Sequence, residues 1–236
     1  MLSSNRRLNA IESIAACARP ACARAIFAMI SGLVLVAGCA LPNKPIRATL
    51  YDFGPGDLAT QVSAPAAAAA SLPPLALADI STSGGALENQ AVLYRLAYTN
   101  AQQLRPYSQA RWSMPPAQLL RQRMRERLSQ HRVVLNAREG VALNRRQNAN
   151  LRLLRLELEE FSQLFSAPDA SVGLLRLHAT LVEITPAGES LIAQRNLVVQ
   201  RPATSADAPG GVRALTAATD AAIDELDQWL QQTAAH

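Results

Sequence analysis

Val212, Leu215, Thr219, Ala222, Ile223, Leu226, Trp229 and Leu230 recur at spacings of three and four. In an α-helix they share one face over about five turns, and only Thr219 interrupts its apolar character. A stripe that long cannot remain in water, so the chain must supply a second layer to cover it. Arg213, Asp220, Asp224 and Asp227 form a charged stripe on another face. The spacing predicts a C-terminal helix from Pro209 to Gln231.

The covering layer is legible upstream. Leu154, Leu156 and Leu158 alternate with Arg155, Glu157 and Glu159, the period of a strand with one buried face. Phe161 breaks that phase, which predicts a bulge near Glu159-Glu160. Val172 to Ile184 places Leu175, Leu177, Ala179 and Leu181 on one face. Thr185 to Glu189 reads as a hairpin turn, and Ser190 to Gln200 as the returning strand.

The first half is more broken. Thr49 to Phe53 reads as a strand, and the Ala/Ser/Pro-rich stretch 54–74 as a flexible insertion. Leu75 to Ile80 and Ala91 to Tyr98 are the next expected strands, with a turn at Ser81 to Gly85. Leu104 to Arg111 is expected to be irregular. Ser113 is a candidate cap for a helix with Pro115 and Pro116 in its first turn. That helix carries Ala117, Leu120, Met124, Leu128 and His131 on one stripe. Val133 to Leu135 reads as a brief strand and Arg138 to Asn150 as a polar loop. The order predicts a single α/β or α+β domain, a mixed sheet covered by two amphipathic helices, over 49–236.

The N-terminus reads as an address. Arg6, Arg7, Arg19 and Arg24 precede an uncharged run from Ala25 to Val36. Basic region, short apolar region and small residues are the order of an export signal, and the run is too short to span a bilayer as a helix. Val36-Ala37-Gly38-Cys39 resembles a bacterial lipobox, in which cleavage falls between Gly38 and Cys39 and the thiol takes the acyl chains. Residues 1–38 are thus expected to be a lipoprotein signal peptide and 39–48 a lipidated tether. Several acyl chains on Cys39 give stable anchoring where one would be marginal. Ala40 after the cysteine, by resemblance to enterobacterial sorting rules, favours the outer membrane.

Removing that segment changes the charge. The formal net charge is +5 and the pI about 9.6. Four arginines and Glu12 leave with residues 1–38, so +3 of the +5 goes with them. Cys17 and Cys22 also leave, and Cys39 is consumed by lipid, which excludes cysteine catalysis and cysteine-based metal sites. Nucleic acid is no partner for a nearly neutral, exported chain with 4% aromatics.

No catalytic pattern emerges. His131, His178 and His236 lack metal-ligand spacing, so no metal or cofactor is expected beyond the acyl chains on Cys39. Glu157, Glu159 and Glu160 fit a solvated strand face better than paired catalytic carboxylates. The arginine run from Arg121 to Arg132 has two readings. It could meet anionic headgroups or an acidic partner, or it could face the acidic stripe of the C-terminal helix.

The segment from Val92 to Met124 carries Tyr94-Arg95, Tyr107 and Arg111-Trp112 before a helix. With Tyr51 in the first strand, Glu160-Phe161 and a late Trp229, it resembles the ABC-type transport auxiliary lipoproteins, the PqiC-like family. The resemblance implies a non-catalytic outer-membrane lipoprotein facing the periplasm. Its partner would be the Mce-domain substrate-binding protein of an ABC transporter that moves phospholipid or other hydrophobic molecules. Tyr94, Arg95, Tyr107, Arg111 and Trp112 are candidate partner-binding residues, because aromatics and arginine dominate binding hot spots. Trp112 could equally pin the helix to the sheet. Self-association stays open, as does service to another envelope export or assembly machine.

Overall fold

The computed structural model describes residues 47–56, 72–147, 151–185 and 188–234. Its organising element is strand β7, Leu151–Ala167. Along one edge of β7 runs an antiparallel meander of β8 (Ala170–Thr185) and β9 (Gly188–Pro202). The other edge is shared in succession by three parallel strands. β2 (Leu72–Leu77) pairs with Arg152 to Leu154, β3 (Ser81–Thr82) with Glu157-Leu158, and β4 (Ala91–Leu96) with Gln163 to Phe165.

Outside these, β5 (Ala101–Trp112) pairs antiparallel with β4, and β1 (Thr49–Tyr51) pairs parallel with β5. β6 (Arg132–Asn136) pairs parallel with β2. The result is one mixed sheet. Four helices accompany it among the described residues: the single turn α1 (Ala97–Asn100), α2 (Pro116–Leu128), α3 (Ala137–Gln147) and α4 (Ala208–Ala234).

α2 and α4 cover one face. The even residues Leu154, Leu156 and Leu158 of β7 and the odd residues Leu175, Leu177, Ala179 and Leu181 of β8 point at them and are buried. The whole α4 stripe from Val212 to Leu230 is buried against that face, Thr219 included. The bulge falls where the broken phase placed it, with a register shift between Leu158 and Glu160. It returns Phe161, Gln163 and Phe165 to the core side.

α4 lies very close to the sheet. A Cβ at Gly173 of β8 would sit 2.5 Å from the Ala214 carbonyl carbon and 2.6 Å from the Leu215 nitrogen. α3 covers part of the opposite face, packing Ala137 and Val141 beside Ala76, Leu151, Leu153, Val182 and Ile184.

Several local expectations change. Residues 138–147 form most of α3, not a loop. Asn136 Oδ1 accepts from the Glu139 amide at 2.9 Å, and Glu139 Oε2 accepts from the Asn136 amide at 3.0 Å. That reciprocal capping box starts the helix. Leu104 to Arg111 is strand, not irregular chain. β1 reaches only Ala110 to Trp112, so Pro106, in register with Leu93 of β4, has a free edge on its other side, the edge setting in which a strand tolerates proline.

The insertion is shorter than expected at its C-terminal end. Leu72 to Pro74 belong to β2, whose pairing with β6 skips from Leu72 to Leu75 because Pro73 and Pro74 break the ladder. Residues 57–71 lie outside the described residues. β2 ends at Leu77 and β4 at Leu96. The N-cap of α2 is Pro115 with no side-chain cap, so Ser113 does not serve. His131 is exposed, because α2 stops at Leu128 and Arg132 takes the buried position instead.

Candidate functional site

β4 and β5 carry all five residues singled out as partner-binding. Tyr94 and Tyr107 pack with ring centroids 4.6 Å apart and planes tilted by 39°, and Phe165 of β7 meets Tyr94 edge-on at 6.1 Å. Both tyrosines are half-buried. The Tyr107 hydroxyl donates to Gln163 Oε1 at 2.8 Å, and Gln163 Nε2 donates to Ser171 Oγ at 2.8 Å. Burial, then the neighbouring Tyr94 hydroxyl and Asp207, push the Tyr107 phenol well above the ordinary tyrosine range.

The two arginines have structural partners. Arg95 forks onto Glu160 at 3.1 and 2.9 Å, and its Nη1 donates to the carbonyls of Ala101 and Gln102. It therefore ties the bulge of β7 to the β4–β5 turn. Arg111 Nη1 donates to the carbonyls of Tyr107 and Ala110. Trp112 is completely buried, 5.6 Å from both Phe53 and Phe161 by ring centroids. It belongs to the core and offers no surface. Of the three aromatics, Tyr94 and Tyr107 are half-buried and Trp112 is not accessible.

The arginine run of α2 divides in two. Arg123 forks onto Asp220 at 2.8 and 3.0 Å, Arg127 reaches Asp224 at 2.5 Å, and Arg132 reaches Asp227 at 2.5 Å. These three rungs clamp α2 and β6 to the acidic stripe of α4. Arg121 and Arg125 point away from α4. Arg121 Nε lies 3.2 Å from Asp79, whose side chain is 93% exposed.

Between the first turns of α2 and the β2–β3 segment lies a cleft of about 920 Å³. Ile80, Leu87, Met114 and Ala117 form its apolar part, and Arg121 and Arg125 line it as well. Sequence reasoning missed it, because its walls come from two separate segments, 79–88 and 114–125, that meet only in the fold. The one local signal was a pair of arginines one helical turn apart, on the flank that faces away from the acids.

The remaining candidates are employed locally. Glu159 pairs with Arg176 at 3.1 Å, and His178 Nδ1 lies 2.5 Å from Asn196 Oδ1. Among the described residues no group of three or more His, Cys, Asp or Glu side chains could hold a metal. No helix among them is long and apolar enough to cross a membrane. Val36, Ala37, Gly38, Cys39 and His236 lie outside the described residues.

Residues 57–227 match the model of one protein family, described as the ABC-type transport auxiliary lipoprotein component. The chain belongs to that family. The fold of this auxiliary lipoprotein recurs in solved structures. A Xanthomonas campestris protein aligns with a TM-score of 0.55 at 19% identity, over 70% of this chain and 88% of its own. An uncharacterized protein aligns with a TM-score of 0.52 at 12% identity, over 78% of this chain and 99% of its own. At those identities the likeness is one of fold. No curated protein matches the auxiliary lipoprotein at a significant level. Its Tyr94-Tyr107 ledge, its α2–α4 clamp and its cleft all lie inside the matched residues.

Proposed function

We propose that this auxiliary lipoprotein is anchored through Cys39 to the periplasmic face of the outer membrane. There it docks the Mce-domain substrate-binding protein of an ABC transporter that moves phospholipid or other hydrophobic molecules. In this reading the protein is non-catalytic. The family match across residues 57–227 carries the reading. The engagement of Arg95, Glu159, Glu160 and His178 by neighbouring side chains agrees with it. Tyr94 and Tyr107 supply the docking ledge, since half-buried aromatics over a packed base are the usual anchors of an interface.

Two observations test it. The gene should lie beside genes for an Mce-domain protein, a permease and an ATPase; a position among cell-wall enzymes counts against it. Cys39→Ser should abolish palmitate labelling and release the protein from the outer-membrane fraction of a sucrose gradient. An unchanged outer-membrane fraction would refute the anchor.

A further inference from the structure

We propose that the cleft beside α2 is a phospholipid site, with an acyl chain on Ile80, Leu87, Met114 and Ala117 and the phosphate on Arg121 and Arg125. This rests on the reading that the protein serves transport of hydrophobic molecules, and it adds a site within this subunit. The cleft's volume of about 920 Å³ falls in the roughly 300–1,000 Å³ span of small-molecule sites. Ile80, Leu87 and Ala117 are buried core residues at its apolar wall. They would cover a hydrocarbon chain without stranding a polar group.

The charges single out the head. Arg123, Arg127 and Arg132 each hold an acid of α4. Arg121 and Arg125 stand one turn apart over the cleft, where like charges repel without an anion between them. Arg121 holds Asp79 through a solvated contact, an exchangeable kind of pair. No carboxylate pairs with Arg125 among the described residues. Two guanidinium forks side by side match the oxygens of a phosphate. Asp79 and Glu88 also line the cleft, so its lining is complementary to a zwitterionic head such as phosphoethanolamine.

The test uses the full-length protein in growing cells. A photo-crosslinking benzoylphenylalanine replaces Gln118, an exposed residue of the cleft, or Val198, exposed on the other sheet face. Cells are labelled with 32P-phosphate and irradiated. The acyl anchor contains no phosphorus, so label on the protein reports a captured phospholipid. Label is expected at position 118 and not at 198. With Arg125→Glu it should fall about tenfold, the loss of a charge-assisted hydrogen bond. Thr82→Trp, which fills the cleft from its half-exposed wall, should also abolish it.

Equal label at both positions, or label indifferent to both variants, would overturn the site. So would a crosslinked peptide whose mass shows a fatty acid or another protein. If 32P adducts form but no Mce protein co-purifies, the transport reading fails while the cleft stands. If the Mce protein co-purifies and no adduct forms, the cleft alone fails.

Discussion

Arg132 and Asp227 form an ion pair in which the arginine side chain is 5% exposed and the aspartate 18%. Removing one partner of such a pair leaves a charge in low dielectric, which costs about 3–5 kcal/mol. Asp227→Ala should therefore lower unfolding stability by about 3 kcal/mol, read from urea denaturation. Asp224→Ala breaks a more exposed rung, with side chains 32% and 55% exposed, and should cost less than about 1 kcal/mol. Equal losses would mean that the clamp is not graded by burial.

Gly173 is the point where α4 lies directly on β8. A methyl group there meets the backbone of Ala214 and Leu215 within 2.6 Å, and backbone cannot step aside. Gly173→Ala should cost about 1–3 kcal/mol through overpacking. The urea midpoint should fall with the slope unchanged; an unchanged midpoint would place α4 further from the sheet.

Tyr107 gives the fold an alkaline limit. Its folded pKa lies above the unfolded value, with burial the main cause. Its contribution is thus complete below about pH 10 and is lost as pH rises towards the folded pKa. Tyr107→Phe should flatten that part of the stability–pH curve. At neutral pH it should cost about 1–3 kcal/mol, because buried Gln163 loses a donor. A curve with the same alkaline slope would show that Tyr107 titrates as a free phenol.

Trp112 and Tyr94 should separate stability from docking. Trp112→Ala empties a site between Phe53 and Phe161 and should cost about 3–5 kcal/mol. Near-UV circular dichroism should collapse along with any partner binding. Tyr94→Ala is half-buried and should reduce partner recovery in pull-downs while the folded spectrum persists. Loss of the fold in both variants would assign Tyr94 to the core.

Much of this fold was written in periodicity. The α4 stripe, the alternation of β7 and the bulge before Phe161 are local patterns, and burial enforces each. α3 was hidden because polar residues dominate 138–150; only the Asn136-Glu139 capping pair announced it. β5 was hidden because Pro106 argues against a strand unless the free edge beside it is known. The cleft was beyond local reading, since its wall at Ile80 and Leu87 meets α2 only after folding. Of the two readings of the arginine run, the one that faces it to α4 holds for Arg123, Arg127 and Arg132 and not for Arg121, which meets Asp79.

The partner proposed for this lipoprotein is the Mce-domain protein of an ABC transporter. The most direct measurement is quantitative mass spectrometry of what co-purifies with the tagged, full-length protein from detergent-solubilised membranes. An Mce-domain protein should be recovered with its permease and ATPase, in amounts reduced by Tyr94→Ala. Recovery of a secretin or a glycan synthase in their place, with no Mce-domain protein, would contradict it.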